Sequence, residues 1–296
     1  MALYPVAQLI ARARAEKYAL GYFESWSLDS LQGVIDAAEA SRSPIIIGFN
    51  GDFLSRPERR FQERLEMYAA LGKAAAASAT VPCGLIFNEC PRDDWVRRAC
   101  DTGFNLVMPA DPKASAPDYA ARVKKITAYA HPRGVAVEAE LGELPCGASG
   151  HVQSGAAMTD PEEARAFVQQ TGVDLLAVSV GNIHILVKGE RPLDLDRLEA
   201  IADKVNTPLV LHGGTGIAAA SLQGAIALGV AKVNYGTYLK QRYLAALQQS
   251  LRQAAADPHA LLGIGGDRDL MAAGRAAVRD AVNERIGLLG CCGKAP

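Results

Sequence analysis

The sequence lacks any long apolar run. Its apolar stretches, such as residues 44–49, are far shorter than the roughly 20 residues that a membrane-spanning helix needs. The start of the chain also lacks the uninterrupted apolar segment of a signal peptide, because charged residues break its apolar pattern and give it the character of an amphipathic helix. We therefore expect a protein that has no contact with a membrane and is located in the cytoplasm.

The sequence also contains few cysteines and carries little net charge. The six cysteines include no C-x-x-C pair, and two of them are adjacent near the C-terminus, which suits no disulfide framework and indicates reduced thiols. Lys and Arg number 31 against 32 Asp and Glu, so the net charge of -1 creates no field that would draw the chain to nucleic acid or an anionic membrane. Any phosphate-binding site is therefore expected to depend on a few neighbouring residues and not on the net charge of the protein.

What the chain does contain is a balanced composition and an alternating pattern. Hydrophobic residues make up 49% and charged residues 21%, which is typical of folded globular proteins and excludes a disordered, collagen-like or heptad-repeat chain. Short apolar runs alternate with segments of helical periodicity. The eight apolar runs are residues 18–24, 44–50, 81–89, 104–110, 135–142, 175–181, 208–214 and 231–237.

Eight near-continuous apolar strands that alternate with helices predict an α/β protein with a closed (β/α)8 TIM barrel. The helix signals agree, because Asp160 is placed to cap a helix with Pro161 at its first position, and Gly172 is placed to end it. A doubly wound open sheet is the alternative, but no G-x-G-x-x-G follows the first strand. Because no Pro/Ser-rich linker divides the chain, we expect residues 1–296 to form one barrel domain with a C-terminal helical extension.

Chemistry in such a barrel belongs at the carboxyl ends of the strands, so the polar residues there are the candidates for a site. Two of the five histidines, His184 and His212, follow adjacent predicted strands. Together with carboxylates from the third and fifth strands they would form a divalent-metal site of zinc type with an open position. The alternative is that both are ordinary loop histidines. The polar residues at the strand ends are Glu24, Asn50, Asp52, Asn88, Glu89, Glu138, Glu140, His184, His212, Asn234 and Thr237.

A glycine-rich segment, residues 212–216 (HGGTG), follows the seventh predicted strand and precedes a helix. Its backbone amides and the helix N-terminus would suit a phosphate, which TIM barrels usually bind at the loops after strands seven and eight. Lys188 would add a positive charge at the same end, whereas glycines that only make a tight turn are the alternative. A Schiff-base mechanism is disfavoured, because Lys232 lies near the start of strand eight and strand six contains no lysine.

Four segments, 137–144 (VEAELGEL), 171–184, 208–217 (PLVLHGGTGI) and 228–240, resemble the class II, metal-dependent fructose-bisphosphate and tagatose-bisphosphate aldolases. Residues 18–47 fit the same family in register, so the resemblance covers nearly the whole chain. It implies a Zn²⁺ ion that is held by three histidines and polarises the ketose carbonyl. It also implies a loop, assisted by a monovalent cation, that grips the dihydroxyacetone phosphate end of the substrate.

The resemblance assigns roles to particular residues. His184 and His212 match two of the zinc ligands, and Glu138 and Glu140 match the carboxylates next to the metal; we expect Glu138 to bind the metal and Glu140 to take part in catalysis. The residues that match the phosphate- and ketose-binding set are Gly181, Lys188, Gly213, Gly214, Thr215, Asn234 and Thr237.

The sequence departs from the family pattern in three places. Asn88 replaces the catalytic aspartate and Glu89 replaces the remaining zinc-ligand histidine, while Glu24 appears where the family has asparagine. The loop at residues 145–155 contains no carboxylate, although the family has an acidic pair there. Glutamate still binds Zn²⁺ but also favours the harder ions Mn²⁺ or Mg²⁺. An asparagine at position 88 cannot accept a proton, so Glu24 or Glu89 is expected to act as the general base.

Three functions follow from these expectations. The first is metal-dependent retro-aldol cleavage of a phosphorylated ketose or a related sugar-acid phosphate through a metal-stabilised enediolate. The second is a metal-dependent sugar-phosphate isomerase or epimerase that uses the same enediolate without breaking a carbon–carbon bond. The third is a catalytically silent protein that binds sugar phosphates. The resemblance also implies a homodimer or homotetramer.

Overall fold

A computed structural model of the chain describes residues 3–111, 113–142, 144, 158–183, 189–252 and 257–295. Its eight strands are all parallel and form a closed barrel in which each strand pairs with the next and the eighth pairs with the first. The predicted TIM barrel is confirmed. The strands are β1 Leu20–Glu24, β2 Ile45–Asn50, β3 Cys83–Cys90, β4 Leu106–Pro109, β5 Ala136–Leu141, β6 Leu175–Val178, β7 Leu209–Leu211 and β8 Val230–Tyr235.

The strands are buried on both faces, as expected for a barrel that is filled with side chains and covered by helices. All six residues of β2 are buried, as are all six of β8. Every strand is shorter than its predicted run, and two of them end well before it: β6 ends at Val178 and β7 at Leu211. In both cases the polar and glycine residues at the end of the predicted run have left the sheet and form loops at the carboxyl end of the barrel.

Helices follow the strands and pack around the barrel. The predicted signals of one helix are confirmed, because the Asp160 side chain accepts hydrogen bonds from two backbone amides of its first turn and Gly172 ends it at a φ of 69°. The helices are α1 Val6–Ala15, α2 Leu28–Ala40, α3 Gly51–Ser55, α4 Leu65–Ser78, α5 Asp93–Thr102, α6 Ala116–Ala130, α7 Pro161–Thr171, α8 Leu195–Lys204, α9 Ala219–Ala227, α10 Thr237–Arg252, α11 Pro258–Leu261 and α12 Leu270–Leu289.

The N-terminal segment lies against the amino end of the barrel. The Tyr4 backbone amide donates to the carbonyl of Cys83, the first residue of β3, at 2.9 Å. The Tyr4 carbonyl in turn accepts from Asn105 Nδ2, just before β4, at 2.8 Å. At the other limit of the chain, α12 packs on α2, where Gly33 lets the two backbones approach closely. The carboxyl end of the barrel is left to the loops that carry the predicted site residues.

None of the helices in the described ranges is long and apolar enough to cross a membrane. This finding agrees with the absence of long apolar runs in the sequence.

Candidate active site at the carboxyl end of the barrel

A pocket of about 470 Å³ opens among the carboxyl ends of β1, β2, β3, β7 and β8. It lies where TIM barrels carry their active sites. Another histidine, His131, does not line this pocket and contacts Asp174 near the amino end of the barrel. The predicted site residues that line the pocket are Glu24, Asn88, Glu89, His212, Gly213, Thr215, Asn234 and Thr237.

His212 is the centre of the site. It follows β7 directly and its side chain is 1% exposed. One ring nitrogen, Nε2, lies 2.9 Å from Glu138 Oε1, and the other, Nδ1, lies 3.2 Å from Glu140 Oε2 and 3.6 Å from Glu89 Oε1. Carboxylates from β5 and β3 therefore meet both sides of one imidazole, as the barrel topology requires of strand-end residues.

The carboxylates make this corner of the pocket strongly attractive to cations. Burial by itself lowers the pKa of His212, but Glu140 and Glu138 outweigh it and raise that pKa to about 10. Nδ1 forms no hydrogen bond with any residue in the described part of the chain, and neither does the buried Oε1 of Glu140. Buried polar atoms of native proteins rarely lack a partner, so these two mark a place for something else to bind.

Glu138 contacts Nε2 of His212 and therefore lies on the side of the ring away from Nδ1, the nitrogen that we call the outward nitrogen. Its second oxygen, Oε2, is 2.8 Å from Lys232 Nζ, and both side chains are fully buried. Burial alone would raise the pKa of Glu138, but Lys232 and His212 together lower it below its ordinary value. Since both oxygens contact protein cations, the geometry favours Glu138 as the group that orients His212, and Glu140 as a carboxylate beside the other ring nitrogen, Nδ1.

Lys232 is closer to the site than its position near the start of strand eight suggests. It shares the inner face of β8 with Asn234, two residues on, because alternate residues of a strand point to the same side. Its ammonium donates to Asn234 Oδ1 at 2.5 Å as well as contacting Glu138. One buried cation therefore fixes both the carboxylate behind His212 and the amide of a predicted substrate-binding residue.

Asn88 and Glu89 both line the pocket although they are consecutive, which a regular strand does not allow. The pairing of β3 with β4 shifts between Phe87 and Cys90, and Glu89 has a φ of 54°, a left-handed conformation that is costly for a residue with a side chain. Asn50 holds the resulting geometry, because its Nδ2 donates to Glu89 Oε2 at 3.0 Å. Such strain at a strand end is typical of functional sites.

Glu24 lines the pocket from the carboxyl end of β1. Its Oε1 is 2.5 Å from Lys240 Nζ, and its carboxylate occupies the space that a side chain at Gly236 would need. Lys240 lies in the first turn of α10, over the rings of Trp26 and Phe53. A carboxylate from β1 is thereby held at the pocket by a cation that follows β8 in the chain.

The predicted phosphate-binding segment forms a tight turn. Gly213 has a φ of 66°, and the turn continues as a short 3-10 helix that packs Gly214 against Tyr235. Thr237 begins the helix α10, whose N-terminus faces the same pocket. Gly181 lies just after β6, at a φ of 96°, and does not line the pocket. The turn and the helix start therefore present backbone amides to one region.

Several predicted residues lie outside the described part of the chain: His184, Lys188 and the loop at 145–155. Within the described ranges, no group of three or more His, Cys, Asp or Glu side chains is arranged so that it could hold a metal ion by itself. His212, Glu89 and Glu140 come nearest to such an arrangement. Donors that share a tetrahedral Zn²⁺ at about 2.0–2.2 Å lie about 3.3–3.6 Å apart, which is close to the separations seen around Nδ1. The residue types and the two separations at Nδ1 therefore suit a divalent metal that takes at least one further ligand from outside this group of three.

A pocket at the carboxyl end of a TIM barrel, with an acidic corner next to a glycine turn, has the position and the residue types of a barrel enzyme's active site. The sequence model of the family described as fructose-bisphosphate aldolase class-II matches residues 4–294. The chain therefore belongs to the class II fructose-bisphosphate aldolase family and is an aldolase, a lyase that works on carbon–carbon bonds.

Individual relatives span the whole chain. A fructose-bisphosphate aldolase of Geobacillus stearothermophilus is 32% identical over 295 residues, which cover 100% of this chain and 99% of that protein. The crystal structure of the YdjI aldolase from Escherichia coli K12 has a TM-score of 0.82 and 31% identity, and the match covers 99% of this chain and 100% of the other. A structure described as a putative fructose-1,6-bisphosphate aldolase from Coccidioides immitis has a TM-score of 0.80 and 26% identity, over 98% and 97% of the two chains.

Sequence reasoning missed Lys232 and Lys240 as members of the site. The alternation along β8 was a usable signal for Lys232, because it places the lysine on the same face as Asn234. No such signal exists for Lys240, whose partner Glu24 is 216 positions away in the sequence.

Proposed function

We propose that this aldolase is metal-dependent and cleaves a phosphorylated ketose, or a related sugar-acid phosphate, by a retro-aldol reaction. The observation that carries this proposal is Nδ1 of His212, which lies 3.2 Å from a Glu140 oxygen and 3.6 Å from a Glu89 oxygen, in a pocket that His212 and Glu89 line together with the glycine turn. A cation and a phosphate could thus be held at the two ends of a triose phosphate unit.

The metal would be held by His212 Nδ1, Glu89 and Glu140, together with His184. The hydrogen-bonding contact of His212 Nε2 with Glu138 supports this role, since it fixes the ring with Nδ1 next to the carboxylates, where a metal would bind in place of the Nδ1 proton. We expect Zn²⁺, with Mn²⁺ or Mg²⁺ as alternatives because two of the ligands are carboxylates. When bound, such an ion would polarise a carbonyl and stabilise negative charge on its oxygen.

The phosphate would be held by the backbone amides of residues 213–215 and by Thr237 at the start of α10, with Lys188 as an added charge and a monovalent cation as a further aid. Asn234 would contact the ketose, since Lys232 occupies its oxygen and leaves its Nδ2 directed elsewhere. This amide nitrogen has no hydrogen-bond partner in the described ranges.

Glu24 is proposed as the general base, with Glu89 serving the metal. Cleavage requires a base to take the proton from the hydroxyl on the carbon that becomes the aldehyde. The carbon–carbon bond then breaks, the aldehyde leaves, and the electron pair stays on the triose phosphate half as an enediolate, which takes up one proton. Asn88 cannot accept a proton, but its buried Oδ1 lacks a hydrogen-bond partner within the described residues and can accept a hydrogen bond from the substrate.

The proposal is tested by supplying purified protein, loaded in turn with Zn²⁺, Mn²⁺ or Mg²⁺, with ketose 1-phosphates that end in a hydroxyl, a carboxylate or a second phosphate. Release of dihydroxyacetone phosphate, followed by its enzymatic reduction with NADH, is expected with at least one pair of metal and substrate. His212→Ala is the control and should release none. Exchange of a carbon-bound substrate proton with solvent, without cleavage products, would instead support the isomerase or epimerase alternative.

Replacing Glu89 by Gln is expected to weaken metal binding by more than about 100-fold. Loss of a direct metal ligand should lower the affinity more than loss of a residue that only hydrogen-bonds to a ligand. Metal content after dialysis, measured by inductively coupled plasma mass spectrometry, reports this directly. Asp52→Asn is the matched control, since Asp52 also lines the pocket but pairs with Arg56. Equal metal content in the two variants would remove Glu89 from the ligand set.

We further infer that the chain acts as one barrel domain with its C-terminal helices, assembles as a homodimer or homotetramer, and is cytoplasmic. Exposed leucines on α10, Leu244 and Leu251, support an assembly through this helix. Light scattering coupled to gel filtration measures the oligomer directly.

A further inference from the structure

The phenol of Tyr22 lies inside the barrel and lines the pocket. It lies on β1 two residues before Glu24, on the same inner face of the strand, and its register partner on β8 is Asn234. The side chain lines the pocket, yet the residue is 2% exposed, and the ring centre is 5.3 Å from Lys232 Nζ. Tyr22 is therefore part of the layer that contains the lysine and the asparagine.

The hydroxyl of Tyr22 has no hydrogen-bond partner among the described residues. A buried hydroxyl without a partner costs free energy, and a native protein retains one where a ligand, a water molecule or an ion completes it. The neighbouring Asn234 is in the same condition, because its oxygen accepts from Lys232 and its Nδ2 is without a partner in the described ranges. Two unused donors thus lie on adjacent strands of one pocket.

The surroundings determine that this phenol donates. Burial raises the pKa of Tyr22 well above its ordinary value, and the carboxylates of Glu24, Glu89 and Glu138 raise it further. The group is therefore a neutral O–H. It lies beside Asn234, on the strand next to the one that leads into α10, and lines the same pocket as the glycine turn.

We propose that the Tyr22 hydroxyl is a substrate-binding group, which donates a hydrogen bond to an oxygen of the triose phosphate half of the substrate beside Asn234. This inference rests on the proposed function and adds a contact that the strand-end residues do not supply. It makes the first strand part of the ketose-binding surface through Tyr22, as well as part of the proton-transfer apparatus through Glu24.

Tyr22→Phe removes the donor and keeps the ring. Its dissociation constant for dihydroxyacetone phosphate, measured by calorimetry on the metal-loaded protein, is expected to rise about tenfold, because one hydrogen bond is lost. The melting temperature without ligand is expected to be equal to or above that of the wild type, because an unpartnered buried hydroxyl is removed. A purely structural tyrosine would not weaken ligand binding while preserving stability.

Tyr18→Phe is the matched control, since Tyr18 is also a buried tyrosine whose hydroxyl lacks a partner within the described residues, but it does not line the pocket. It should bind dihydroxyacetone phosphate as the wild type does. Equal binding by wild type and Tyr22→Phe would overturn the contact and leave the proposed function standing. Wild-type protein that binds no dihydroxyacetone phosphate with any of the three metals would overturn the proposed function and the contact together.

Discussion

Replacing Glu24 by Gln is expected to lower kcat for carbon–carbon cleavage by about 10²- to 10⁴-fold, the usual contribution of general-base catalysis. The amide keeps the size of the side chain but cannot accept the hydroxyl proton. Metal content and the dissociation constant for dihydroxyacetone phosphate should stay within a few-fold of the wild type, because Glu24 contacts Lys240, whereas the carboxylates around His212 are Glu89, Glu138 and Glu140. Stopped-assay rates and calorimetry on the same preparation separate these effects.

Two further variants sharpen the result. Asp52→Asn removes a different carboxylate that lines the pocket and pairs with Arg56. This variant should keep most of the activity. Gly236→Ala places a methyl group where the Glu24 carboxylate lies, so it should lower kcat by displacing the base. Gly287→Ala, which adds a methyl group in open space on α12, controls for the change of residue. Full activity in Glu24→Gln would transfer the role of base to Glu89.

Replacing Lys232 by Met is expected to lower the free energy of unfolding by about 3–5 kcal/mol, the typical effect of removing one partner from a buried ion pair. Glu138 would keep only its contact with His212, in an environment without water. Because Glu138 orients the imidazole, metal affinity is also expected to fall by about 10- to 100-fold. Chemical denaturation of the metal-free protein measures the first effect, and competition with a chelator measures the second.

The control is Lys294→Met, which removes a partly exposed ion pair with Glu16 and should cost less than about 1 kcal/mol. Adding Glu138→Gln to Lys232→Met should restore part of the lost stability, since the unpaired charge disappears. If Lys232→Met and Lys294→Met were equally stable, the buried pair would have no special role in stability.

Local patterns in the sequence were sufficient to predict the architecture. Eight apolar runs separated by helical segments were enough to predict the closed barrel, because parallel strands buried on both faces have an uninterrupted apolar sequence. The same patterns located the ends of the strands, and with them His212, Glu89 and the glycine turn. Their confinement to one pocket follows from the barrel topology alone.

The direction of each side chain at the strand ends could not be predicted from the sequence. Asn88 and Glu89 share the pocket only because β3 changes register and Glu89 takes a left-handed backbone conformation, and both depend on pairing with β4. The expectation that Glu138 binds the metal rested on its place in the sequence pattern. The structure places Lys232 against it and Glu140 beside Nδ1 of His212.

The sequence by itself determined the barrel, the strand ends and the residue types gathered there, since these depend on apolar periodicity and on turn residues along short stretches of chain. Only the tertiary structure decided which nitrogen of His212 faces outward, which carboxylate lies behind it, and which cations hold Glu24 and Glu138. Those choices depend on contacts between strands far apart in the sequence, where burial and charge pairing set the orientation of each group.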